Sequence, residues 1–190
     1  MTESFQDAVN KRVMASVAKK PKVDYNVERL TSYAGYPVVT AKSLELEDYF
    51  ANGGKEVGGM AWGGTTNPPS QGRGETPSIV PNPSYFKNNP NGQNWLVKLE
   101  ASRHWMNENG YKPKFEITPE MAKWREQFKT MGQAGSAYAT DDNAFRQTII
   151  SRLIGGDGDV AESPEAYEEA KYVDRLLQEQ DKQNAPRFSD

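Results

Sequence analysis

The sequence has no cysteine and only one histidine, His104. The lack of cysteine excludes disulfide bonds, thiolate metal sites and a cysteine nucleophile. No run of residues approaches the roughly 18 consecutive apolar residues of a membrane-spanning helix, and the N-terminus lacks the apolar segment of a signal peptide. We therefore expect no membrane span, no metal ion, no cofactor and no secretion through a signal peptide.

An excess of one charge is also missing, since the net charge is only −3. Neutralising a phosphate backbone requires clustered Lys and Arg, so specific nucleic-acid binding is not indicated. The two ends of the chain differ nevertheless. Residues 1–22 carry five basic and two acidic side chains, whereas residues 157–190 carry ten acidic and four basic ones. We interpret both ends as solvated faces; the alternative is that they help copies to pack head to tail or to dock on a larger assembly.

Glycine and proline are concentrated in one stretch. Residues 52–92 hold 9 of the 16 glycines and 6 of the 12 prolines, and they open with the repeat NGGKE, VGGMA, WGGTT. This composition disfavours a helix or a long regular strand, because glycine loses much backbone entropy and proline removes donors. The stretch has too many large apolar groups for a free linker. We predict an ordered arm with partner-binding anchors at Met60, Trp62, Tyr85 and Phe86; for Trp62, packing onto its own domain is the alternative.

The N-terminal region is predicted to contain an amphipathic helix. Residues 4–20 place one apolar side chain at every fourth position, namely Phe5, Val9, Val13 and Val17. A helix with so narrow an apolar stripe is not stable alone and must lie against another surface. Residues 21–40 are rich in tyrosine and β-branched residues, which indicates extended chain with at most short strands. A short helix over 44–51 follows.

Helical signals dominate from residue 93 onward. Helices are predicted over 95–108, from Thr118-Pro119-Glu120 to Gly132, from Thr140 or Asp141 to Gly155, and from Ser163-Pro164-Glu165 onward. Ser, Thr or Asp before the first turn, followed by Pro or an acid, is typical of a helix start. We therefore predict a mainly α fold in four parts: an N-terminal region (1–51), the Gly/Pro-rich arm (52–92), a small helical domain (93–183) and a tail (184–190).

Patterns that would carry chemistry are incomplete in this sequence. His104 follows Glu100 by four residues, which allows a shared helix face, but two ligands without a third indicate a helix-surface pair rather than a metal site. The segment Asp157-Gly158-Asp159 is not followed by the further ligand residues or by the glycine that a calcium-binding loop requires. The glycine pairs also lack the spacing of a phosphate-binding loop.

A resemblance to a known family is carried by residues 86–154. Its elements are Phe86-Lys87, the helix to His104, Tyr111, the text Gly135-Ser-Ala-Tyr138-Ala139-Thr140-Asp141, and a helix ending Ile149-Ile150-Ser151-Arg152-Leu153-Ile154. This stretch is similar to the C-terminal half of the glucosaminidase (flagellar-muramidase-like) family, in which a Tyr-Ala-Thr-Asp-Pro motif precedes the last helix. Here Asp142 replaces the proline, and Gly110 replaces the basic residue before Tyr111.

The resemblance implies a glycan site at Tyr138 and Asp141, because Tyr138 matches the active-site tyrosine of the family. The catalytic glutamate of the family lies in a Leu-Glu-Ser/Thr-Gly-Trp setting, which residues 1–85 do not contain. The segments there that are most similar to this motif are Leu44-Glu45 and Leu46-Glu47, and neither is followed by Ser/Thr-Gly-Trp. The resemblance therefore implies a degenerate or accessory relative.

The expected function is that of a non-catalytic structural or interaction protein. An N-terminal helix and an arm that both need partner surfaces indicate contact with other protein subunits in many copies. A bacteriophage virion component, associated with the capsid, the portal or the tail, matches this composition by analogy. The location would then be the virion or the cytoplasm. The alternatives are a peptidoglycan hydrolase or glycan-binding relative, and a soluble regulator with a disordered middle.

Overall fold

The fold is mainly α. The structure is a computed structural model that describes residues 29–52, 59–64, 72, 74–84, 86, 93–130, 137–156 and 163–184. Its helices are α1 (Glu47–Asn52), α2 (Gln93–Glu108), α3 (Pro119–Arg125), α4 (Asp142–Gly155) and α5 (Pro164–Asn184). Short 3-10 helices cover Lys42–Leu44 and Glu126–Thr130. None of these helices is long and apolar enough to cross a membrane.

Helix starts follow the capping signals of the sequence. Thr118 Oγ1 accepts a hydrogen bond of 3.2 Å from the amide of Met121, and Ser163 Oγ accepts one of 3.2 Å from Ala166. Each bond satisfies an amide that has no partner within its helix. The predicted starts of α3 and α5 are thereby confirmed.

Two antiparallel strand pairs accompany the helices. Strand β1 (Ser32–Tyr33) pairs with β2 (Tyr36–Pro37), and β3 (Gly59–Trp62) pairs with β4 (Ser78–Pro81). A parallel bridge between Val38 and Ile79 joins the two pairs. The extended character predicted for residues 21–40 is confirmed in the described part.

The turn between β1 and β2 is held by α5. Ala34 and Gly35 both have positive φ, at 53° and 86°, which is the geometry of a tight hairpin turn. The amide of Ala34 donates to Asp181 Oδ1 at 2.7 Å, and the carbonyl of Ala34 accepts from Gln180 Nε2 at 2.6 Å. The carboxylate of Asp181 thus holds a turn, whereas Glu165, Glu168 and Glu179 of the same acidic region are exposed, as expected of a solvated face.

Helix α2 lies at the centre of the main core and packs against α4, α5 and the strands. The buried side chains of this core come from every part of the described chain, for example Tyr33, Ile79, Val97, Phe145, Ile149 and Val173. The core therefore crosses the boundaries predicted near residues 51 and 92. A second, smaller cluster consists of Ala41, Phe50, Met60 and Val80.

The Gly/Pro-rich stretch packs onto this chain itself. Strands β3 and β4 lie on α2, with Ile79 and Val80 fully buried. Met60 is 5% exposed and Phe86 is 6% exposed, so neither side chain is presented to a partner. The expectation of partner-binding anchors at Met60 and Phe86 is therefore corrected: hydrophobic burial places both in the protein's own core.

Other predicted positions have mixed outcomes. Leu99 and Met106 are buried on the apolar face of α2, as predicted, whereas Trp95 is 36% exposed and rests edge-on against Phe86. The predicted partner-binding residues Phe5, Val9, Val13, Val17 and Tyr85 lie outside the described residues.

Candidate functional site

Glu100 and His104 project from one face of α2 onto the strand pair β3–β4. Glu100 Oε2 accepts a hydrogen bond of 3.1 Å from the amide of Ala61 in β3. His104 Nε2 lies 2.7 Å from the carbonyl oxygen of Ser78 in β4. Because a carbonyl oxygen only accepts, Nε2 carries the hydrogen. The two side chains thus attach one strand each to the helix.

Both side chains are buried, which corrects the expectation of a helix-surface pair. His104 is 0% exposed and Glu100 is 2% exposed. The spacing of four residues places both side chains on one face of α2, as predicted, but that face lies under strands β3 and β4. Sequence periodicity does not reveal this, because the covering strands come from another part of the chain.

The environment of His104 favours the neutral imidazole. Burial lowers its pKa, since the charged form loses its hydration. The ring stacks on Tyr36 with centroids 5.0 Å apart, and the Tyr36 hydroxyl donates to Glu108 Oε2 at 2.6 Å. Within the described part of the chain, His104 Nδ1 has no hydrogen-bond partner. The histidine is therefore a neutral donor to a carbonyl, a role that supports structure.

Arg103 links the buried carboxylate to Tyr138. Arg103 Nη1 donates to both oxygens of Glu100 at 3.2 Å, and its guanidinium lies 5.4 Å from the ring centroid of Tyr138. Burial opposes the charge of Arg103, but the neighbouring Glu100 carboxylate raises the pKa of its guanidinium. Burial raises the pKa of Tyr138. Arg103 thus lies between the Glu100 side chain and the Tyr138 ring.

Asp141, the other predicted glycan residue, caps helix α4. Its Oδ1 accepts a hydrogen bond of 2.9 Å from the amide of Ala144. The next residue, Asp142, forms an ion pair of 2.6 Å with Arg125, and this hydrogen bond lowers the pKa of the Asp142 carboxyl. Arg125 Nε also donates to the carbonyl of Tyr138 at 3.0 Å. Tyr138 and Asp141 are therefore close along the chain but serve separate structural contacts.

A surface groove lies beside Trp62, which the sequence singled out as an anchor. Its volume is about 480 Å³, and it is lined by Pro37, Val39, Leu44, Trp62, Gly74, Glu75, Thr76 and Ser78. Trp62 Nε1 donates to Glu75 Oε2 at 2.6 Å, which fixes the orientation of the indole. We call this feature the Trp62 groove. The sequence predicts a role for Trp62 but not for the groove residues Val39, Leu44 and Glu75. These residues are separated from Trp62 along the chain and belong to no motif.

Gly72 allows the chain to pass close to Trp62. Its φ is +62°, and a Cβ atom on it would lie 2.6 Å from Trp62 Cε2. A side chain at this position would push the indole or the backbone aside. Trp62 is therefore half-buried by its own chain on one side while it lines the groove, which confirms packing onto its own domain; contact with a partner stays a prediction.

Among the described residues, no group of three His, Cys, Asp or Glu side chains is placed to hold a metal ion. Comparisons with protein-family models, with curated proteins and with solved structures find no match to this chain.

Proposed function

We propose that the protein is a non-catalytic subunit that lies on a larger protein assembly, a bacteriophage virion, at its capsid, portal or tail. The observation that carries this proposal is that Glu100, His104 and Asp141 form hydrogen bonds to backbone groups of the chain itself. Each of these three polar groups is engaged in a bond that holds a strand or a helix end. A catalytic acid requires access to substrate, which a carboxylate with 2% exposure lacks.

The partners of this subunit are other protein subunits, present in many copies. The proposed contacts are the predicted apolar stripe Phe5, Val9, Val13 and Val17, the residue Tyr85, and the surface around Trp62. The stripe supports this assignment because a short amphipathic helix requires a surface to lie on. The choice of a virion is an analogy from composition, namely the lack of cysteine and a Gly/Pro-rich stretch with Asn and Tyr.

The experiment is a comparison of the free chain with purified virions from the same source. We expect mass spectrometry to detect the chain at a fixed copy number per particle. Limited proteolysis should cut the chain more slowly in the particle than in the free protein, because contact with other subunits protects a docked segment further. Absence of the chain from the particles, or equal cleavage in both states, would refute the proposal.

A second candidate is a glycan-binding or glycan-hydrolysing relative of the glucosaminidase family. One arrangement favours it: Tyr138, the residue that matches the family's tyrosine, lies beneath Arg103, and Arg103 is bonded to the acid Glu100. This brings a carboxylate near the tyrosine, although from α2 rather than from an N-terminal motif. Glycosidases require two accessible carboxyl groups across the scissile bond.

This candidate is tested with purified peptidoglycan. Clearing of a peptidoglycan suspension by the native chain, abolished by Glu100→Gln while circular dichroism shows that the variant is folded, would favour the enzyme over the structural subunit. Co-sedimentation without clearing, weakened by Tyr138→Ala, would favour glycan binding. Neither clearing nor co-sedimentation between pH 4 and pH 8, a range that spans carboxyl and histidine titration, would exclude both versions.

A further inference from the structure

The Trp62 groove is lined by apolar side chains and carries one carboxylate, that of the exposed Glu75, at its rim. Val39, Leu44 and Trp62 are each half-buried and supply apolar surface that no described residue covers completely. Glu75 lies in the lining, and the exposed residues Glu45, Glu47 and Asp48 follow Leu44 directly along the chain. Lys42 is the one basic side chain in the described stretches 42–48 and 74–78. A basic amphipathic segment therefore has the complementary chemistry.

The chain contains one segment of that chemistry outside the described residues. Residues 4–20 place Phe5, Val9, Val13 and Val17 at a spacing of four. Residues 1–22 also carry five basic and only two acidic side chains, opposite in sign to the groove rim. Burying an apolar stripe of this kind stabilises a contact by roughly 25 cal/mol for each Å² removed from water. The apolar character of the stripe and the sign of the segment's charge are therefore both complementary to the groove lining.

The attachment point of this segment lies within reach of the groove. Leu30 donates its amide to Asn94 Oδ1 at 2.9 Å, and Arg29 donates to Gln93, so the described chain begins at the start of α2. Ser78 lines the groove and is bonded to His104, eleven residues further along α2. Eleven residues of helix span about 16 Å. Residues 21–28 can span about 26 Å when extended, which is sufficient.

We propose that the Trp62 groove is the docking site for the apolar stripe of the chain's own residues 4–20. The short tether favours the chain's own segment over a second copy, because it holds the segment at a high effective concentration. The contact belongs to the isolated chain, so it goes beyond the assembly role and does not depend on it. A partner that binds the same stripe would have to displace it from the groove.

The test uses disulfide trapping in the full-length protein, which has no native cysteine. Val13→Cys on the stripe is combined with Thr76→Cys, an exposed position in the groove lining. The matched control combines Lys11→Cys with Thr76→Cys, since residue 11 lies about 200° around the predicted helix from residue 13. We expect the first pair to form an intramolecular disulfide about tenfold faster than the control at low salt, and less so at 1 M salt.

Three results would overturn the proposal. Equal rates for the two pairs would show random collision rather than docking of the stripe. Disulfides that join two chains would assign the groove to a second copy. No disulfide in either pair, with folding verified by circular dichroism, would show that residues 4–20 do not reach the groove. Each result is obtained without virions or peptidoglycan, so it is independent of the tests of the assembly role.

Discussion

Asp181 accepts a hydrogen bond of 2.7 Å from the amide of Ala34, which lies 147 residues earlier in the chain. Ala34 is fully buried at a turn with positive φ, and its amide faces away from the strand pair toward α5. A buried amide without an acceptor is costly, so this single carboxylate fixes the β1–β2 turn against the C-terminal helix. The contact joins the two ends of the described chain.

Replacement of this carboxylate should destabilise the fold. Asp181→Ala leaves the buried amide of Ala34 without an acceptor, and we expect a loss of about 1–3 kcal/mol in the free energy of unfolding. Asp181→Asn keeps an oxygen acceptor and should lose less. Urea denaturation followed by circular dichroism measures both. Glu179→Ala, on an exposed position of α5, is the control and should change stability by less than about 0.5 kcal/mol; a loss equal to that of Asp181→Ala would contradict this account.

Gly72→Ala should disturb the packing of Trp62. The new Cβ would lie 2.6 Å from Trp62 Cε2, in addition to the cost of a positive φ for a residue with a side chain. Gly74→Ala is the matched control, because Gly74 also has positive φ but nothing within 4 Å of the added Cβ. We expect Gly74→Ala to cost about 1–2 kcal/mol for the backbone alone and Gly72→Ala to cost more. Thermal unfolding and tryptophan fluorescence distinguish the two; identical changes would argue against the close contact.

The neutral state of His104 predicts a pH dependence of stability. Burial lowers the pKa of His104 in the folded protein, so the unfolded chain binds the proton more tightly. The contribution of neutral His104 to the free energy of unfolding is therefore complete above about pH 6.5, the pKa of a histidine in the unfolded chain. It is lost as the pH falls below that value. The slope cannot exceed about 1.4 kcal/mol per pH unit for one group.

His104→Gln provides the comparison, because its side-chain amide can still donate to the Ser78 carbonyl. Denaturant titrations of both proteins between pH 7 and pH 5 bracket the titration of an ordinary histidine. We expect the stability difference between native protein and variant to shrink as the pH falls. Parallel curves for the two proteins would show that His104 does not carry the effect.

The Glu100–Arg103 pair should contribute far more than an exposed ion pair. Glu100→Gln retains an acceptor for Ala61 but leaves Arg103 without its counter-charge. Breaking a buried pair costs about 3–5 kcal/mol, and the 21% exposure of the Arg103 side chain places the expected loss near about 3 kcal/mol. The matched control is Glu168→Gln, which breaks the pair of Glu168 with Lys171 at 72% and 70% side-chain exposure. That loss should stay below about 1 kcal/mol.

A double variant tests whether the cost reflects an unpaired charge. Glu100→Gln combined with Arg103→Met removes both charges and should recover part of the stability lost in Glu100→Gln alone. If the loss of stability in the double variant equals the sum of the losses in Glu100→Gln and Arg103→Met measured separately, the pair is not coupled.

Local elements were predictable from sequence because their signals are local. Thr118 and Ser163 cap helices that begin at the following proline, and Leu99 and Met106 lie at helical spacing on a buried face. These features depend on residues within one or two turns of each other.

Long-range contacts were not predictable. The sequence showed that Glu100 and His104 share a face of α2, but not that Ala61 and Ser78 cover that face. The apolar residues Met60 and Phe86 look the same in sequence whether they meet a partner or their own core. The groove likewise forms only where Val39, Leu44 and Glu75 meet around Trp62.

The mainly α composition, the helix starts and the lack of thiol chemistry follow from residue type and short-range spacing, so the sequence alone is sufficient to predict them. Which polar groups support the fold depends instead on contacts between distant segments. Burial under β3 and β4 makes His104 neutral and engages Glu100 with a strand amide. Those outcomes depend on solvent access, and solvent access is set by contacts between segments that are far apart in the chain.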